Sequence, residues 1–499
     1  MQKAIILLIT IYLIVNAANA QANKQLTSQE MLHDLSVLQS AWTNLHPGLY
    51  RYNSPEQITG YFKKLRRLCS KSLPEKKFYV HLSQLAQKVK CGHTYLNSLN
   101  LDPITQERIL PKRIIPFFFE IVDRRIIITH NVSEYAQIKR GDEITAINGV
   151  RSSKIIDSLL TVSRSDGKNA LGKMLHNLHE SPDEAENYSL FDIYFPLFFQ
   201  HPTDIFTITV KPYSSVSTQT YAVKAVPRAE RIENYRQRFG KIPVDEYSWD
   251  YKILNDSTAY MKYGTFAFWN STFKPKDFVD SVFSDLLAKE KVTNLIIDIR
   301  NNEGGDNTGN YILSYITKTP IGCDDPDRPS YRYVSIPDTL KPHLSTWDNS
   351  FKEDKNASKY KRNELGLYEL KQTKPCAFIS PGKKTFNGKT VLLINAKNSS
   401  AGYEMARNYK SARLGEMVGE TTGGSQQGIN GGEFFFLTLP NSKFEIDLPL
   451  IYNYHANKPD SGIKPDHVIE TTQRNISKNE DAQLDFALSL FQRKQGCVR

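Results

Sequence analysis

Long hydrophobic runs are scarce in this sequence of 499 residues. The one such run stands at the very start, and no later stretch approaches the roughly 18 uninterrupted apolar residues that a membrane-spanning helix needs. We therefore expect no stable membrane insertion of the mature chain. Glycine and proline are also modest, with 26 and 24 residues, which excludes collagen-like and low-complexity proteins. A composition of 40% hydrophobic and 23% charged residues is that of a globular protein.

Cysteine is rare, and metal-binding patterns are missing. The five cysteines are widely and irregularly spaced, which excludes a disulfide-dense small protein. Their odd number leaves at least one thiol free or paired between chains. The sequence contains no Cys-x-x-Cys pair and no His-Glu-x-x-His motif, the spacings typical of zinc sites. We expect neither a metal ion nor another cofactor.

Positive charge is in excess but is not concentrated. The formal net charge is +11, and the densest basic cluster is a single run at residues 63–67 without interleaved aromatic residues. Such a run is typical of a solvated helix face, whereas a nucleic-acid interface needs a basic patch or stripe. We therefore expect no nucleic-acid partner, while weak attraction to anionic surfaces stays open.

The first twenty residues have the pattern of a secretory signal peptide. Lys3 provides a positive charge, residues 4–15 form an apolar stretch, and residues 18–20 read Ala-Asn-Ala, a small-residue cleavage pattern. An uncleaved N-terminal anchor is the alternative. We predict export to the periplasm or the outside of the cell. Removal of residues 1–20 leaves 479 residues, enough for about three folding units.

An N-terminal helical domain is predicted over residues 21–105. A capping box at residues 27–30 begins the first of three amphipathic patterns. The third pattern covers 75–90 and ends before Gly92, the usual residue type for a left-handed helix terminator. His93 is therefore expected on a loop just past a helix end.

A strand-rich second domain is predicted over residues 106–228. A Gly-Asp turn, a strand and an Asn148-Gly149 turn follow one another, an order that resembles part of a PDZ domain. A further strand at 205–210 would close such a small barrel. Residues 163–201 look like an insertion and carry no clear signal.

A third domain is predicted over residues 229–499. Strands at 295–299 and 391–395 alternate with helices here, an order typical of an α/β domain with parallel strands. The predicted fold class of the whole chain is therefore α+β and multidomain.

A serine pair lies where one of these strands passes into a helix. Ser399 and Ser400 precede Ala401-Gly402, so their hydroxyls are expected near unpaired backbone N–H groups and the positive end of the helix dipole. This position favours a nucleophile and a developing oxyanion. Serine is also a preferred N-cap, and either residue could have only that role.

A glycine-rich turn follows the neighbouring strand. Gly304 and Gly305 end the run Asp-Ile-Arg-Asn-Asn-Glu-Gly-Gly that begins at Asp298. Paired glycines let the backbone approach a substrate closely and aim N–H groups at it, as an oxyanion hole requires. Phosphate binding is a weaker interpretation because no Gly-Lys-Ser/Thr follows, and an ordinary helix-entry turn is the plain alternative.

His93 belongs to a Cys-Gly-His-Thr-Tyr loop at residues 91–95. Histidine is the commonest general base, but a lone histidine is more often structural. Ten other histidines compete for the same role, so the loop position does not decide between these alternatives.

Taken together and in this order, the segments resemble the tail-specific serine peptidases, which include the carboxyl-terminal processing proteases and the tricorn protease core. The resemblance covers about residues 29–469 and extends to the Gly-Glu-Thr-Thr-Gly-Gly run at 419–424 and the Gly-Ile-Lys-Pro-Asp run at 462–466. It implies a ClpP/crotonase-like α/β catalytic domain, serine peptidase activity and a polypeptide substrate.

The resemblance also assigns the two central roles. Ser400 takes the nucleophile's position because it directly precedes Ala-Gly-x-Glu. The processing-protease branch uses a lysine base, and residues 423–428 contain none. His93 matches the base of the tricorn-like branch, which indicates a Ser–His enzyme.

The remaining roles are carried over in the same way. Backbone N–H groups of Ala401 and of Gly304 or Gly305 are expected to hold the oxyanion. The tricorn-like branch has a glutamate that orients its histidine, and Asp460 is the substitute here, offset by about one residue.

The leading hypothesis is an exported serine endopeptidase that cuts unfolded or C-terminal parts of proteins, with the PDZ-like segment holding an extended peptide by strand addition. The alternative is a catalytically inactive member that binds a peptide or an apolar ligand, and a small-molecule esterase or amidase is a third interpretation. The joint presence of Ser400, His93 and the glycine pair favours an enzyme. The sequence does not indicate an oligomeric state.

Overall fold

The structure is a computed structural model, and it describes residues 24–182, 189–199, 204–241, 248–269, 271–322, 329–372 and 378–492. The predicted signal peptide lies outside the described residues, as do three of the five cysteines. Cys69 and Cys91 are buried free thiols. Within the described ranges, we find no helix with the length and hydrophobicity of a membrane span.

The N-terminal part is helical, as predicted. The capping box is confirmed, since Thr27 accepts from the backbone of Glu30 and the Glu30 carboxylate accepts from the backbone of Thr27. The third helix ends two residues earlier than predicted, and Lys90 rather than Gly92 takes the left-handed conformation, with a φ of 60°. The elements are β1 (Gln25–Leu26), α1 (Ser28–Leu45), α2 (Pro55–Leu68), β2 (Leu73–Pro74), α3 (Glu75–Lys88) and α4 (Pro103–Ile109).

The middle part is built mainly of strands, also as predicted. Its elements are β3 (Phe117–Val122), β4 (Arg125–Asn131), β5 (Glu143–Ile147), β6 (Val150–Arg151), α5 (Ser152–Leu160), α6 (Leu171–His176), α7 (Leu190–Phe198), β7 (Ile205–Lys211), β8 (Gln219–Lys224) and α8 (Arg228–Phe239). The strands form one antiparallel sheet of order β3-β4-β5-β7-β8, with β6 paired to β5. Asn148 and Gly149 have φ angles of 51° and 76°, as the tight hairpin turn requires.

The C-terminal part contains the main sheet. Its elements are β9 (Trp249–Asn255), β10 (Thr258–Tyr263), α9 (Pro275–Leu287), β11 (Asn294–Asp298), α10 (Thr308–Ser314), β12 (Ser330–Tyr331), β13 (Leu344–Ser345), β14 (Tyr360–Arg362), β15 (Tyr368–Leu370), β16 (Lys389–Ile394), α11 (Ser400–Ser411), β17 (Glu416–Gly419), β18 (Gly431–Thr438), β19 (Glu445–Ile451), β20 (His467–Val468), α12 (Gln473–Lys478) and α13 (Ala482–Gln492). The sheet has the order β20-β17-β16-β11-β10-β9. Only β9 runs antiparallel to its neighbour, so the predicted parallel pairing is confirmed.

Two neighbouring strands of this sheet carry the two candidate loops. Asp298, the last residue of β11, is paired with Leu393 of β16. Because the strands are parallel, the glycine-rich turn and the serine loop both leave the sheet at its carboxyl edge, where α/β sheets place their ligand sites.

The β18–β19 hairpin crosses the predicted boundary between the first and third domains. It buries Phe435, Leu437 and Leu448 in the same hydrophobic core as the N-terminal helices. Its second strand also contacts the segment after His93, since Leu96 forms a bridge with Ile446. The C-terminal part of the chain therefore supports the loop that carries His93.

Candidate active site

Ser400 opens α11 directly after the loop that leaves β16. Its φ of 49° is the left-handed conformation, which costs a residue other than glycine about 1 kcal/mol or more. Ser399 is extended, with a φ of −144°, and makes no side-chain cap; its hydroxyl donates to the carbonyl of Glu303 at 3.4 Å. The interpretation of this pair as a simple N-cap is therefore not supported. A strained strand-to-helix turn is also the way in which α/β-hydrolases expose a nucleophilic serine.

The buried side chain of Asn398 ties the serine loop to its surroundings. Its Oδ1 accepts from the backbone N–H of Asn395 at 2.8 Å, and its Nδ2 donates to the carbonyls of Ile299 and Asn302. Its own carbonyl accepts from the N–H groups of residues 423 and 424. One residue thus fixes the serine loop, the glycine-rich loop and the segment after β17 together.

The glycine-rich loop packs directly on Ser400. Gly304 has a φ of 105°, and a Cβ built on it would lie 2.6 Å from the backbone nitrogen of Ala401 and 2.8 Å from the Cβ of Ser400. Gly305 has a φ of 140°, and a Cβ there would lie 2.0 Å from the backbone of Phe266. Both positions therefore require glycine, for their conformation and for the close backbone approach.

The backbone donors near Ser400 differ in availability. The N–H of Gly304 donates to the side-chain oxygen of Asn302 at 2.8 Å, so the prediction that it can hold an oxyanion is corrected. The N–H of Ala401 lies in the first turn of α11, where helix geometry offers it no intrahelical acceptor. Neither it nor the N–H of Gly305 has an acceptor among the described residues. These two groups are the candidate oxyanion donors.

His93 has a defined tautomer. Its Nδ1 lies 2.7 Å from the backbone carbonyl oxygen of Asn430. Because a carbonyl oxygen only accepts, the proton must reside on Nδ1, and Nε2 of the neutral ring carries a free lone pair. Burial lowers the pKa of His93 below its ordinary 6.5, and the carboxylate of Asp166 opposes that shift. The ring is therefore neutral and basic at Nε2 near pH 7.

A second histidine supports this loop. The Nδ1 of His46 accepts from the N–H of Gly48 at 3.1 Å, so its Nε2 donates to the hydroxyl of Thr94, the residue after His93, at 2.8 Å. Complete burial lowers the pKa of His46 to about 3. His46 therefore stays neutral and holds the loop through a fixed hydrogen bond.

Asp460 does not orient His93, which corrects the predicted pairing. Its carboxylate accepts from the hydroxyls of Tyr52 and Ser425 at 2.9 and 3.0 Å and from the backbone N–H of Lys168 at 2.9 Å. The Nδ1 of His93, the atom that an orienting acid would contact, is instead bonded to the Asn430 carbonyl.

The carboxylate of Asp166, in the segment without a clear sequence signal, contacts the His93 loop. Its Oδ1 accepts from the N–H of Gly92 at 2.8 Å, and its Oδ2 lies 3.3 Å from Nζ of Lys173. A Cβ at Gly92 would lie 2.5 Å from this carboxylate, so the absence of a side chain there makes room for it. Lys173, His93 and the Gly92 N–H lower the pKa of Asp166 and outweigh its burial, so it is ionised.

A second ion cluster, which is half-buried, surrounds Glu303, the residue before the glycine pair. Glu303 forms ion pairs with Arg164 and, at 3.7 Å, with Lys397. Although burial opposes it, these cations and the nearby His93 lower the pKa of Glu303 to about 2. Arg164 and Asp166 lie two residues apart in sequence, so one segment contacts both the histidine loop and the glycine-rich loop. This segment thereby links the His93 loop to the glycine-rich loop that packs on Ser400, in a charged and partly buried region.

Within the described ranges, no group of three or more His, Cys, Asp or Glu side chains has the arrangement to hold a metal ion. The carboxylates of this region form ion pairs instead: Asp166 with Lys173, and Glu303 with Arg164 and Lys397.

This chain is similar to known proteins in sequence and in fold. Residues 257–469 match the sequence profile of Peptidase family S41. A search of curated protein sequences gives no match. Among solved structures, the chain is similar to mature CPAF complexed with lactacystin, with a TM-score of 0.62 and 13% identity over 93% of this chain and 97% of that chain. A CPAF mutant gives a TM-score of 0.63 and 14% identity over 95% and 99% of the two chains. At this level of identity the likeness describes the fold.

Proposed function

Because this chain belongs to the tail-specific S41 family of serine peptidases, we propose that it is an exported endopeptidase with a serine nucleophile and a histidine base, acting on unfolded or C-terminal polypeptide segments. One observation carries the proposal. The hydrogen bond from His93 to the Asn430 carbonyl leaves Nε2 as a proton acceptor, and the strained Ser400 packs against Gly304 of the glycine-rich loop.

The proposed reaction proceeds in two halves. The Oγ of Ser400 attacks the substrate carbonyl carbon while its proton passes to Nε2 of His93, and the resulting oxyanion accepts from the N–H groups of Ala401 and Gly305. The C–N bond then breaks, the amine leaves with the proton from His93, and an acyl-enzyme remains. Water attacks this ester with His93 again as the base, which releases the carboxylic acid and restores Ser400. Loss of one oxyanion donor typically raises the barrier by about 2.7–4 kcal/mol.

The antiparallel sheet of the middle part supports a peptide substrate. Its edge strand β8 has no further strand beside it within the sheet, whereas the outer edge of β3 is already occupied at Phe119, which exchanges two backbone hydrogen bonds with Glu180. An extended peptide can add to such an edge through main-chain hydrogen bonds, which select for unfolded chain rather than for one sequence. This is the proposed role of the PDZ-like segment.

Export is proposed from the sequence pattern of residues 1–20. N-terminal sequencing of the protein recovered from outside the cytoplasm tests it, and the expected first residue is Gln21. Recovery of the intact N-terminus from the cell interior would contradict export without affecting the proposed chemistry.

A serine-directed phosphonate tests the nucleophile. We expect wild type to be labelled at Ser400 by peptide mass mapping and to hydrolyse an unstructured polypeptide, and we expect Ser400→Ala to lose both properties. Ser399→Ala is the matched control and should keep both. A wild type that binds peptides but is neither labelled nor active would favour the binding-protein alternative, and a label on Ser399 would move the nucleophile by one residue.

A further inference from the structure

Strand β18 presents aromatic side chains on both faces, but to different environments. Phe435 and Leu437 point into the core and are fully buried. Phe434 and Phe436 lie on the opposite face and are only half-buried, as the two-residue period of a strand requires. Trp347 rests on this second face, with ring centroids 5.5 Å from Phe434 and 5.8 Å from Phe436. We call Trp347, Phe434 and Phe436 the aromatic surface.

The position of Trp347 is fixed although its side chain is exposed. It follows β13, which pairs with β18 so that Ser345 lies opposite Phe436. Nevertheless 59% of Trp347 is accessible to solvent. The exposed indole and the two half-buried rings form an apolar surface in contact with water. A ligand that covers this surface would remove a large hydrophobic area from water, which favours binding.

The aromatic surface begins at the proposed catalytic base. The Phe434 ring meets the His93 ring edge-on, with centroids 5.2 Å apart. Asn430, whose carbonyl fixes the His93 tautomer, immediately precedes β18. The segment that orients the base therefore continues into β18, whose Phe434 and Phe436 extend the apolar surface from His93 towards the exposed Trp347.

We propose that the aromatic surface is a specificity subsite that binds a large apolar side chain, such as Phe, Tyr, Leu or Met, of the polypeptide substrate close to the bond that is cleaved. This inference rests on the proposed function, because continuity with His93 is what identifies the occupant as substrate. A side chain that covers the indole buries apolar area on both partners and holds the peptide beside the base.

Paired fluorogenic peptides test this subsite. They differ only by Phe or Ala at one position, and the position is varied on both sides of the cleaved bond. We expect wild type to prefer Phe at one of these positions, and Trp347→Ala to lower kcat/KM for that Phe peptide by about tenfold or more while changing the Ala peptide by less than about twofold. Trp347→Phe should keep most of the preference, and Phe436→Ala should weaken it.

Leu365→Ala is the matched control, since Leu365 is 56% exposed in the same C-terminal part of the chain and should not affect the preference. A wild type without any Phe preference, or a Trp347→Ala variant that slows both peptides equally, would overturn the inference.

Two further readouts separate this inference from the proposed function. Phosphonate labelling of Ser400 in Trp347→Ala should remain close to wild type; labelling without a change in preference would overturn only the subsite. Absence of labelling in wild type would overturn the proposed function and the subsite with it. In the inactive Ser400→Ala variant, the Phe peptide should shift the tryptophan emission, and the additional Trp347→Phe substitution should remove that shift.

Discussion

The Nδ1 of His93 lies 2.7 Å from the carbonyl oxygen of Asn430, a residue 337 positions later in the chain. A backbone carbonyl thus does for this histidine what a carboxylate does in a Ser-His-Asp triad: it holds the proton on Nδ1. Unlike a carboxylate, it carries no full negative charge to stabilise the imidazolium. The ionised Asp166, which accepts from the N–H of Gly92, the residue before His93, is a source of such a charge.

The acid limb of the pH profile of kcat/KM depends on the protonation of His93 beside Asp166. Burial lowers the pKa of His93, so we expect kcat/KM to fall only at a pH below 6.5, the ordinary value. Because Asp166 raises the pKa of His93, Asp166→Asn should move the limb to still lower pH. Profiles of both proteins between about pH 4 and 8 check this. A limb above 6.5 in wild type, or an upward shift in the variant, would contradict it.

Asp460→Asn distinguishes the corrected role of this residue from the predicted one. Asn keeps an oxygen that can accept from Tyr52 and Ser425 and loses only the acceptor of the Lys168 N–H, so we expect a loss of activity of less than about tenfold and no shift of the acid limb. An orienting triad carboxylate replaced in this way would cost about 10⁴-fold. Steady-state kinetics decide between the two, and a loss near the larger value would restore Asp460 as the orienting acid.

Ser400→Gly should separate stability from activity. Glycine adopts the φ of 49° without strain, so the free energy of unfolding is expected to rise by about 1 kcal/mol while hydrolysis is lost. Ser399→Gly, at an extended φ of −144°, should give no such gain. Denaturant unfolding measures both. Equal effects of the two substitutions would show that no strain is stored at Ser400.

Gly304→Ala should damage both the fold and the site. Its Cβ would lie 2.6 Å from the Ala401 nitrogen at a φ of 105°, so we expect a loss of more than about 1 kcal/mol of stability and of phosphonate labelling at Ser400. Gly60→Ala is the control: a Cβ there meets nothing within 4 Å, and its place inside α2 predicts a gain of up to about 1 kcal/mol. A neutral Gly304→Ala would contradict the close packing of the two loops.

His46 should make stability depend on pH. Its folded pKa of about 3 is below the ordinary 6.5, so the unfolded chain binds more protons between these values and stability falls as the pH decreases through this window. The slope is up to about 1.4 kcal/mol per pH unit from this group. Unfolding measured from about pH 7 to 4 should be steeper for wild type than for His46→Gln by about that amount. Equal slopes would contradict a buried neutral His46.

Local sequence patterns predict much of the fold. The capping box, the Asn148-Gly149 turn and the alternation of strands and helices each depend on neighbouring residues, and each is confirmed. The predicted end of α3 is wrong by two residues because Lys90, not glycine, takes the left-handed conformation after this helix. Propensity favours glycine at such a position but does not exclude a long polar side chain.

The candidate site could be predicted from the sequence only in part. Ser400 and the glycine pair stand at strand ends, which sequence periodicity locates. The support for His93 comes from Asn430 and from Asp166, which lie far away in the chain. Asn430 acts through its backbone carbonyl, for which no residue type is diagnostic, and Asp166 lies in a segment without periodicity. The position of Asp460 in a motif predicts an orienting role, but contacts with residues distant in the chain give its carboxylate other partners.

The proposed chemistry requires His93 to act on Ser400, and the rate of phosphonate labelling at Ser400 measures that action without requiring the natural substrate. Wild type and His93→Ala should be compared at the same pH, with circular dichroism to establish that both are folded. We predict that His93→Ala lowers the second-order rate constant for labelling by about 10³-fold or more. A folded His93→Ala protein that is labelled at Ser400 as fast as wild type would contradict it.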